Sequence, residues 1–252
     1  MSDAAVPASA VATRPGAVLR RPWAAIAVCA VVAAGLLTLA VPRTLAAWES
    51  LDGNEVYQAL AAGKSPSSRE IAVAIEGLER AIVRVPSGQR YYMLASAEYE
   101  RYRRGGPNGQ DRATALDRVE RYSTQALAAS PSDGRAAIML ASARMWLGKP
   151  ARDVALPLLQ SLDTNPGMRE LWVWRATLLF SVWPSLAADE IQLVNSQLRT
   201  IWELAPQLRR PLLDAARLTG RETALAAALA DEPAAAAELE QLRAPIAAPP
   251  RR

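Results

Sequence analysis

Histidine is absent from this 252-residue chain, and cysteine occurs only once. Without histidine there is no imidazole general base, no Ser-His-Asp or Cys-His catalytic site and no histidine metal ligand. The single cysteine, Cys29, excludes a disulfide within the chain. A body of about 200 residues can still build a sufficient hydrophobic core without such cross-links. The composition therefore excludes several common classes of catalytic and metal-binding site.

A phosphate-binding loop is also missing. The glycine-rich stretch Gly105-Gly106-Pro107-Asn108-Gly109 lacks the Lys-Ser/Thr that would follow in such a motif, so it predicts a plain loop. The carboxylate pairs Asp189-Glu190 and Asp231-Glu232 are adjacent in sequence and point to different helix faces, so we expect them in solvent at helix starts. We therefore expect no enzyme activity, no cofactor and no metal site, while catalysis by carboxylates alone stays open.

The body of the protein carries nearly equal numbers of positive and negative charges. The net charge is +4, but the residues after Val41 carry 26 basic and 24 acidic side chains. A nearly balanced body produces no strong single-sign field, so we do not expect nucleic acid as a partner. Alanine makes up about a fifth of the chain and there is one phenylalanine, a composition that favours closely packed helices.

One long apolar run contrasts with these absences. Residues 23–41 contain no charge, and as a helix they would extend about 28 Å, close to the roughly 30 Å hydrocarbon core of a bilayer. Arg14, Arg20 and Arg21 precede the run, whereas only Arg43 follows it before several acidic residues. Basic residues favour the cytoplasmic side. We therefore predict a single transmembrane helix in a bacterial inner membrane, with a cytoplasmic N-terminus and a periplasmic body.

A cleaved signal peptide is the alternative interpretation of this run. Thr38 with Ala40, or Thr44 with Ala46, would supply the small residues of a cleavage site. Secretory signals usually have an apolar region of only about 7–15 residues, which favours an uncleaved anchor here. Whether the anchor is cleaved stays open.

Four prolines divide the body into similar segments. Each follows an amphipathic helical pattern, and proline stops a helix because it lacks an N–H and restricts the preceding residue. The prolines are Pro86, Pro131, Pro166 and Pro206, with spacings of 45, 35 and 40 residues. After them we predict helices over Gln89–Arg103, Gly134–Leu147, Arg169–Phe180 and Arg209–Leu218. These spacings suit a solenoid of two-helix units; a generic helical bundle with prolines at its turns is the alternative.

The segment from Arg69 to Arg221 resembles tetratricopeptide repeats, a helix-turn-helix family with a period near 34 residues. The resemblance is carried by Leu140-Ala141, Gly148, Ser161-Leu162 and Pro166 in one unit, Trp172 and Ala176 in the next, and Tyr92 and Tyr99 in the first. Arg144 and Arg175 depart from it, because the family usually has aromatic or apolar residues at those sites. The resemblance implies an all-α fold, an α-solenoid of antiparallel helix pairs preceded by the transmembrane helix.

We divide the chain accordingly. The predicted parts are a disordered cytoplasmic tail (1–22), the transmembrane helix (23–41), a connecting helical segment (42–68), the repeat domain (69–221), C-terminal capping helices (222–243) and a disordered tail (244–252). The connecting segment is predicted to contain two helices, Arg43–Leu51 and Asn54–Ala62, separated at Asp52-Gly53. Ser67 or Ser68 is the expected N-cap of the helix that follows.

The resemblance also implies a peptide-binding groove lined by the first helix of each unit. The groove positions carried over from the family are Arg90, Met93, Ala97, Arg135, Ile138, Ser142, Glu170, Val173, Thr177, Arg210, Leu213 and Arg217. Arginines in this set could hold carboxylates of an extended or helical peptide through paired hydrogen bonds. The alternative is that these arginines only solvate the surface.

Two aromatic clusters offer a second functional hypothesis. They are Tyr91, Tyr92, Tyr99 and Tyr102, which lie among Arg90, Arg101, Arg103 and Arg104, and Trp172, Trp174, Trp183 and Trp202 with Phe180. Such residues usually pack between helices, but exposed and stacked they would bind a glycan. Trp172 and Trp174 point to different faces of one helix, so at least one is expected to be exposed or to contact another unit.

We therefore expect a membrane-anchored scaffold or accessory protein that binds other envelope proteins, with polysaccharide biosynthesis or export as the first pathway to consider. That pathway rests on analogy of architecture. A glycan-binding module is the alternative function. The partner and the oligomeric state are not specified by the sequence.

Overall fold

The computed structural model describes residues 22–105 and 109–243. Within these ranges the chain is all-α, with no strand. The helices are α1 (Pro22–Glu49), α2 (Leu51–Ala61), α3 (Ser68–Arg84), α4 (Gly88–Arg104), α5 (Gly109–Ala129), α6 (Gly134–Trp146), α7 (Ala151–Thr164), α8 (Trp172–Ser181), α9 (Ala188–Leu204), α10 (Arg209–Leu218), α11 (Glu222–Leu229) and α12 (Pro233–Arg243). The predicted tails, the loop tip at 106–108 and the arginines at 14, 20 and 21 lie outside the described residues.

The chain separates into two compact units, residues 1–42 and residues 43–252. The described part of the first unit belongs to helix α1. Among the described residues, one helix is long and apolar enough to cross a membrane, Ala25–Glu49. Its large apolar side chains, including Trp23, Val31 and Leu36, are exposed, as expected of a helix whose surroundings are lipid. The predicted apolar helix is therefore present, and it extends beyond residue 41.

In the second unit, helices end where the four prolines predict. Helices α3, α5, α7 and α9 each stop two residues before Pro86, Pro131, Pro166 and Pro206. The residue before each proline donates its N–H to the carbonyl four positions earlier, at 2.9, 2.8, 3.1 and 3.0 Å. This bond closes the last turn, and the proline then prevents another. The helix ends are therefore explained by local chemistry that recurs four times.

The predicted helix starts are also close to those observed. Ser67 caps α3 and forms a capping box with Glu70, while Ser87 caps α4 and Asp133 caps α6 through their side-chain oxygens. Helix α8 begins later than predicted, because a tight 3₁₀ turn over Arg169–Leu171 precedes it.

The predicted break at Asp52-Gly53 is wrong. Helix α2 runs through both residues, and the chain bends before it, at Ser50. Gly53 is buried where α2 crosses α3, and a Cβ added there would overlap the side chain of Leu78. Glycine is therefore present for a close helix crossing, not to end a helix.

Packing follows a regular order along the chain. Consecutive helices contact each other from α2 to α9 and from α10 to α12. In addition, α2, α4, α6, α8 and α10 contact one another in series, and so do α7, α9 and α11. The even-numbered helices thus lie side by side, with the odd-numbered helices packed against them.

Two hydrophobic clusters fill the space between these helices. One is built mainly from α2 to α6 and includes Ile71, Leu78 and Leu94, and the other from α6 to α12 includes Leu158 and Trp202. Helix α6 contributes to both, and nine of its 13 residues are buried. Each fully buried leucine contributes about 1.5–3 kcal/mol. Stability is therefore spread along the chain rather than concentrated in one centre.

Glycine permits the same close approach in two successive helix pairs. Gly88, the first residue of α4, lies against Ser130 at the end of α5, where an added Cβ would be 2.9 Å from the Ser130 Cβ. Gly134, the first residue of α6, lies against Asn165 at the end of α7, where the corresponding distance is 3.0 Å. Both partners immediately precede a proline that ends a helix, so the two contacts are equivalent in the two pairs.

Candidate functional site

The predicted groove positions lie on even-numbered helices and, at Glu170, in the turn before α8. These helices do lie side by side, but four of the predicted groove residues are buried: Met93, Ile138, Ser142 and Leu213 are at most 3% exposed. Ala97 is buried as well. These side chains pack in the core and cannot reach a partner in this conformation. The prediction that these residues line an accessible groove is therefore wrong.

The predicted groove arginines are engaged within the fold. Arg90 donates to the Val85 carbonyl at 2.9 Å, and Arg135 pairs with Asp133 at 3.3 Å. Arg135 also donates to the Tyr57 hydroxyl and stacks over the Tyr92 ring, 5.0 Å from its centroid. It therefore braces α6 against α2 and α4.

Arg210 and Arg217, at the other end of the predicted groove, have acidic neighbours. Arg210 pairs with Asp214 at 3.2 Å, and Arg217 pairs with Glu222 at 3.2 Å. In the rest of the predicted set, two residues are exposed and five are half-buried. The exposed ones are Glu170 and Arg210, and the half-buried ones are Arg90, Arg135, Val173, Thr177 and Arg217. Binding of a peptide at these positions stays a prediction.

Several members of the two predicted aromatic clusters have a packing role. Tyr92, Trp172, Trp202 and Phe180 are all buried. The indole N–H of Trp172 donates to the Pro166 carbonyl at 2.7 Å, which holds the turn before α8. Trp174, on the other face of α8, is half-buried and contacts Tyr99 of α4. The two tryptophans thus take the different environments that their spacing predicts.

Four rings from three even-numbered helices form a continuous series, which we call the aromatic surface: Tyr99, Tyr102, Trp146 and Trp174. Their successive centroids are 6.3 Å apart for Trp174 and Tyr99, 6.0 Å for Tyr99 and Tyr102, and 6.3 Å for Tyr102 and Trp146. Tyr99 and Trp174 bring α4 and α8 into contact beside α6.

Trp146 is the exposed end of the aromatic surface. Its side chain is 55% exposed, while the other three rings are half-buried. The Trp146 ring packs against the Tyr102 ring. Sequence reasoning did not select Trp146. The sequence feature that could have identified Trp146 is its position two residues before Gly148. Gly148 has a φ of 68° and marks the end of the helix.

Arginines of helices α4 and α5 lie next to the aromatic surface. The guanidinium of Arg112 lies 5.0 Å from the centroid of the Tyr102 ring. Beside it is a pocket of about 350 Å³, which we call the arginine pocket. The residues that line it are Arg101, Asp111, Arg112, Thr114 and Arg118. This pocket places cationic groups next to an aromatic face.

Glu98 holds two of the pocket arginines in place. Its side chain is fully buried and forms ion pairs with Arg101 and with Arg118, the latter at 3.2 Å. Burial raises the pKa of Glu98, and the charges of Arg101 and Arg118 oppose that rise. Each arginine has five N–H donors, so pairing with Glu98 leaves others directed elsewhere. Glu98 therefore orients the arginines without exhausting their donors.

The adjacent carboxylates lie at helix starts, as expected. Asp189 and Glu190 are in the first turn of α9, where Glu190 accepts the Ala187 N–H and pairs with Arg152 at 2.6 Å. Asp231 lies just before α12 and is exposed. In the part of the chain that the structure describes, no group of three or more Asp, Glu or Cys side chains is placed to hold a metal ion.

No protein-family model matches this sequence, and no curated protein matches it either. The packed helices are compatible with a helical repeat protein. Because one fold hosts many functions, the surfaces described above are the features that bear on the function of this protein.

Proposed function

We propose that this protein is a membrane-anchored, non-enzymatic scaffold whose body is a tetratricopeptide-like α-solenoid in the bacterial periplasm. The observation that carries the proposal is the series of helix pairs, each ended by a proline in the same way. Repeats of this kind bury their apolar faces only by stacking on their neighbours. Their extended surfaces suit the holding of other proteins.

The packing order supports the solenoid. Contacts between helices two apart in sequence are those expected when each pair stacks on the next. The equivalent approaches of Gly88 to Ser130 and of Gly134 to Asn165 support a repeated unit, since unrelated bundle helices have no reason to share them.

The anchor and its direction rest on α1 and on the charges around it. The apolar window Ala25–Glu49 is long enough to span a bilayer. The basic bias on its N-terminal side favours a cytoplasmic N-terminus, and this supports the proposal that residues 43–252 lie in the periplasm. From there the body would bind other envelope proteins, with polysaccharide biosynthesis or export as the pathway that we consider first.

Partner binding is assigned to the accessible part of the predicted groove near α8 and α10. Glu170 and Arg210 supply exposed charges of opposite sign there, with Val173 and Thr177 between them in sequence. Such a surface suits an extended or helical peptide with its own charges.

The test is an affinity pull-down of the full-length protein from detergent-solubilised membranes. The variant is the double charge reversal Glu170→Arg/Arg210→Glu, and the matched control is Asp163→Arg/Arg80→Glu on exposed positions of odd-numbered helices. We expect partners to be recovered with the wild type and the control and to be lost with the variant. Equal recovery with all three would overturn the assigned surface, and no specific partner with any of them would overturn the scaffold.

A further inference from the structure

Arg112 and Tyr102 connect the arginine pocket with the aromatic surface. The Arg112 guanidinium lines the pocket and also lies over the Tyr102 ring, and that ring adjoins the exposed Trp146. We propose that these elements form a binding site for an acidic oligosaccharide, with Trp146 stacking against a sugar ring and the arginines binding the sugar carboxylates.

The aromatic part of the site offers flat apolar faces with polar edges. Trp146 is 55% exposed, and its ring packs against the Tyr102 ring. A large ring fixed before the ligand arrives loses little conformational freedom on binding. The C–H faces of a pyranose ring pack against such a ring, while the sugar hydroxyls remain hydrogen-bonded to water or to nearby polar side chains.

The basic part of the site supplies recognition of negative charge. Arg112 forms no ion pair among the described residues, so its donors can bind an incoming carboxylate. Arg101 and Arg118 line the same pocket and both pair with the buried Glu98, and Arg118 also lies 4.0 Å from a carboxylate oxygen of Glu79. The lining itself carries three arginines and one acidic residue, Asp111.

An acidic saccharide fits these groups better than a peptide or a nucleic acid does. A peptide helix needs aliphatic pockets, whereas the accessible groups here are the exposed Trp146 ring and the guanidinium groups of the pocket. A nucleic acid needs a broad basic surface, and the residues after Val41 are nearly balanced in charge. The site's mixture of one exposed ring and a local arginine cluster suits short, carboxylate-bearing sugars.

This inference goes beyond the scaffold role and does not depend on it, because the site lies on α4, α5 and α6 rather than on the surface assigned to protein partners. The experiment is isothermal titration calorimetry on the purified full-length protein in detergent. The probes are a hexamer of galacturonic acid and, as the neutral counterpart, maltohexaose. We expect the acidic hexamer to bind and the neutral one to bind at least about tenfold more weakly, since charge-assisted hydrogen bonds are lost.

Two variants test the assigned residues, and each has a matched control. Trp146→Ala and Arg112→Gln are each expected to weaken binding of the acidic hexamer by about tenfold. Trp48→Ala removes a different exposed tryptophan, and Arg121→Gln removes the matching arginine above Tyr122, 4.8 Å from its ring. Both controls should bind as the wild type does.

Circular dichroism is used to check that all four variants are folded. The proposal is overturned if the wild type does not bind the acidic hexamer at millimolar concentration. It is equally overturned if folded Trp146→Ala and Arg112→Gln proteins bind like the wild type, or if the control substitutions weaken binding as much.

Discussion

Arg175 is the residue at which the fold carries an uncompensated charge, and replacing it tests the packing directly. Its side chain on α8 is 1% exposed. One nitrogen, Nη2, donates to the Ser161 hydroxyl and to the Asn165 carbonyl, both at 3.0 Å, while Nε and Nη1 have no protein partner. Burial lowers the pKa of Arg175 to about 10, so it remains a cation at neutral pH.

The free-energy cost of burying the Arg175 charge follows from the lowered pKa of Arg175. The difference between the ordinary value for arginine and about 10 corresponds to roughly 3 kcal/mol of lost stability at pH 7. Arg175→Met removes the charge and fills most of the space. Ser161 still donates to the Gly134 carbonyl at 3.0 Å, and the Asn165 carbonyl still accepts the Met168 N–H. The relieved desolvation therefore offsets the two lost hydrogen bonds, each worth about 1.5–3 kcal/mol.

We expect the free energy of unfolding of Arg175→Met to lie within about 1 kcal/mol of the wild-type value or above it. Replacing buried charged groups by apolar groups often has this effect. Arg175→Ala also loses the hydrogen bonds and leaves a cavity, so it should be less stable by about 2–4 kcal/mol. Thermal unfolding of the full-length protein in detergent, followed by circular dichroism at pH 7, measures the difference. The alanine variant should lose about 5–10 °C in Tm and the methionine variant less than about 3 °C.

The pH dependence has a defined sign. Because the folded-state pKa lies below the unfolded-state value, the cost of the buried charge is fully present below pH 10. It diminishes as the pH rises above 10, where the folded protein releases the proton first. The wild type should therefore gain stability relative to Arg175→Met above pH 10. If the methionine variant were as unstable at pH 7 as the alanine variant, the reasoning about desolvation would be refuted.

Two further substitutions test the packing with the same unfolding measurement. Leu158→Ala, at a fully buried position of α7, should lose about 2–5 kcal/mol, whereas Leu156→Ala, 48% exposed on the same helix, should lose less than about 1 kcal/mol; equal losses would contradict the assignment of the core. Gly77→Ala should lose about 1–3 kcal/mol, because the added Cβ overlaps the Glu49 carbonyl oxygen, while Ala72→Ser at an exposed position of α3 changes stability by less than about 0.5 kcal/mol. An unchanged Gly77→Ala protein would show that α1 and α3 can separate there without cost.

Helix ends were predictable because proline chemistry is local. Pro86 and the three prolines like it each follow a helix end, so those boundaries are predicted to within a few residues, whereas Pro42 and Pro157 lie inside α1 and α7. Gly53 was misjudged for the opposite reason. Its role is set by Leu78 on another helix, and a glycine that permits a close crossing has the same local pattern as one that ends a helix.

The candidate site was only partly predictable. Tyr99, Tyr102 and Trp174 were selected as members of aromatic clusters, but their arrangement as one surface depends on α4 and α8 meeting beside α6. Ile138 and Ser142, which a repeat register alone places in an open groove, are buried. Trp146 joins the surface from the end of α6, and no sequence period relates it to the tyrosines. Contacts between distant helices decide these cases.

The central claim is that the anchor holds the body of the protein outside the cytoplasm. Cys29 is the only cysteine, so Cys29→Ser combined with Leu218→Cys gives a single thiol at a position that is 82% exposed on α10. Spheroplasts of a Gram-negative bacterium that express this variant are treated with a membrane-impermeant maleimide. The account predicts labelling of membrane-bound protein in intact spheroplasts, to the same extent as after lysis. Labelling only after lysis would contradict it.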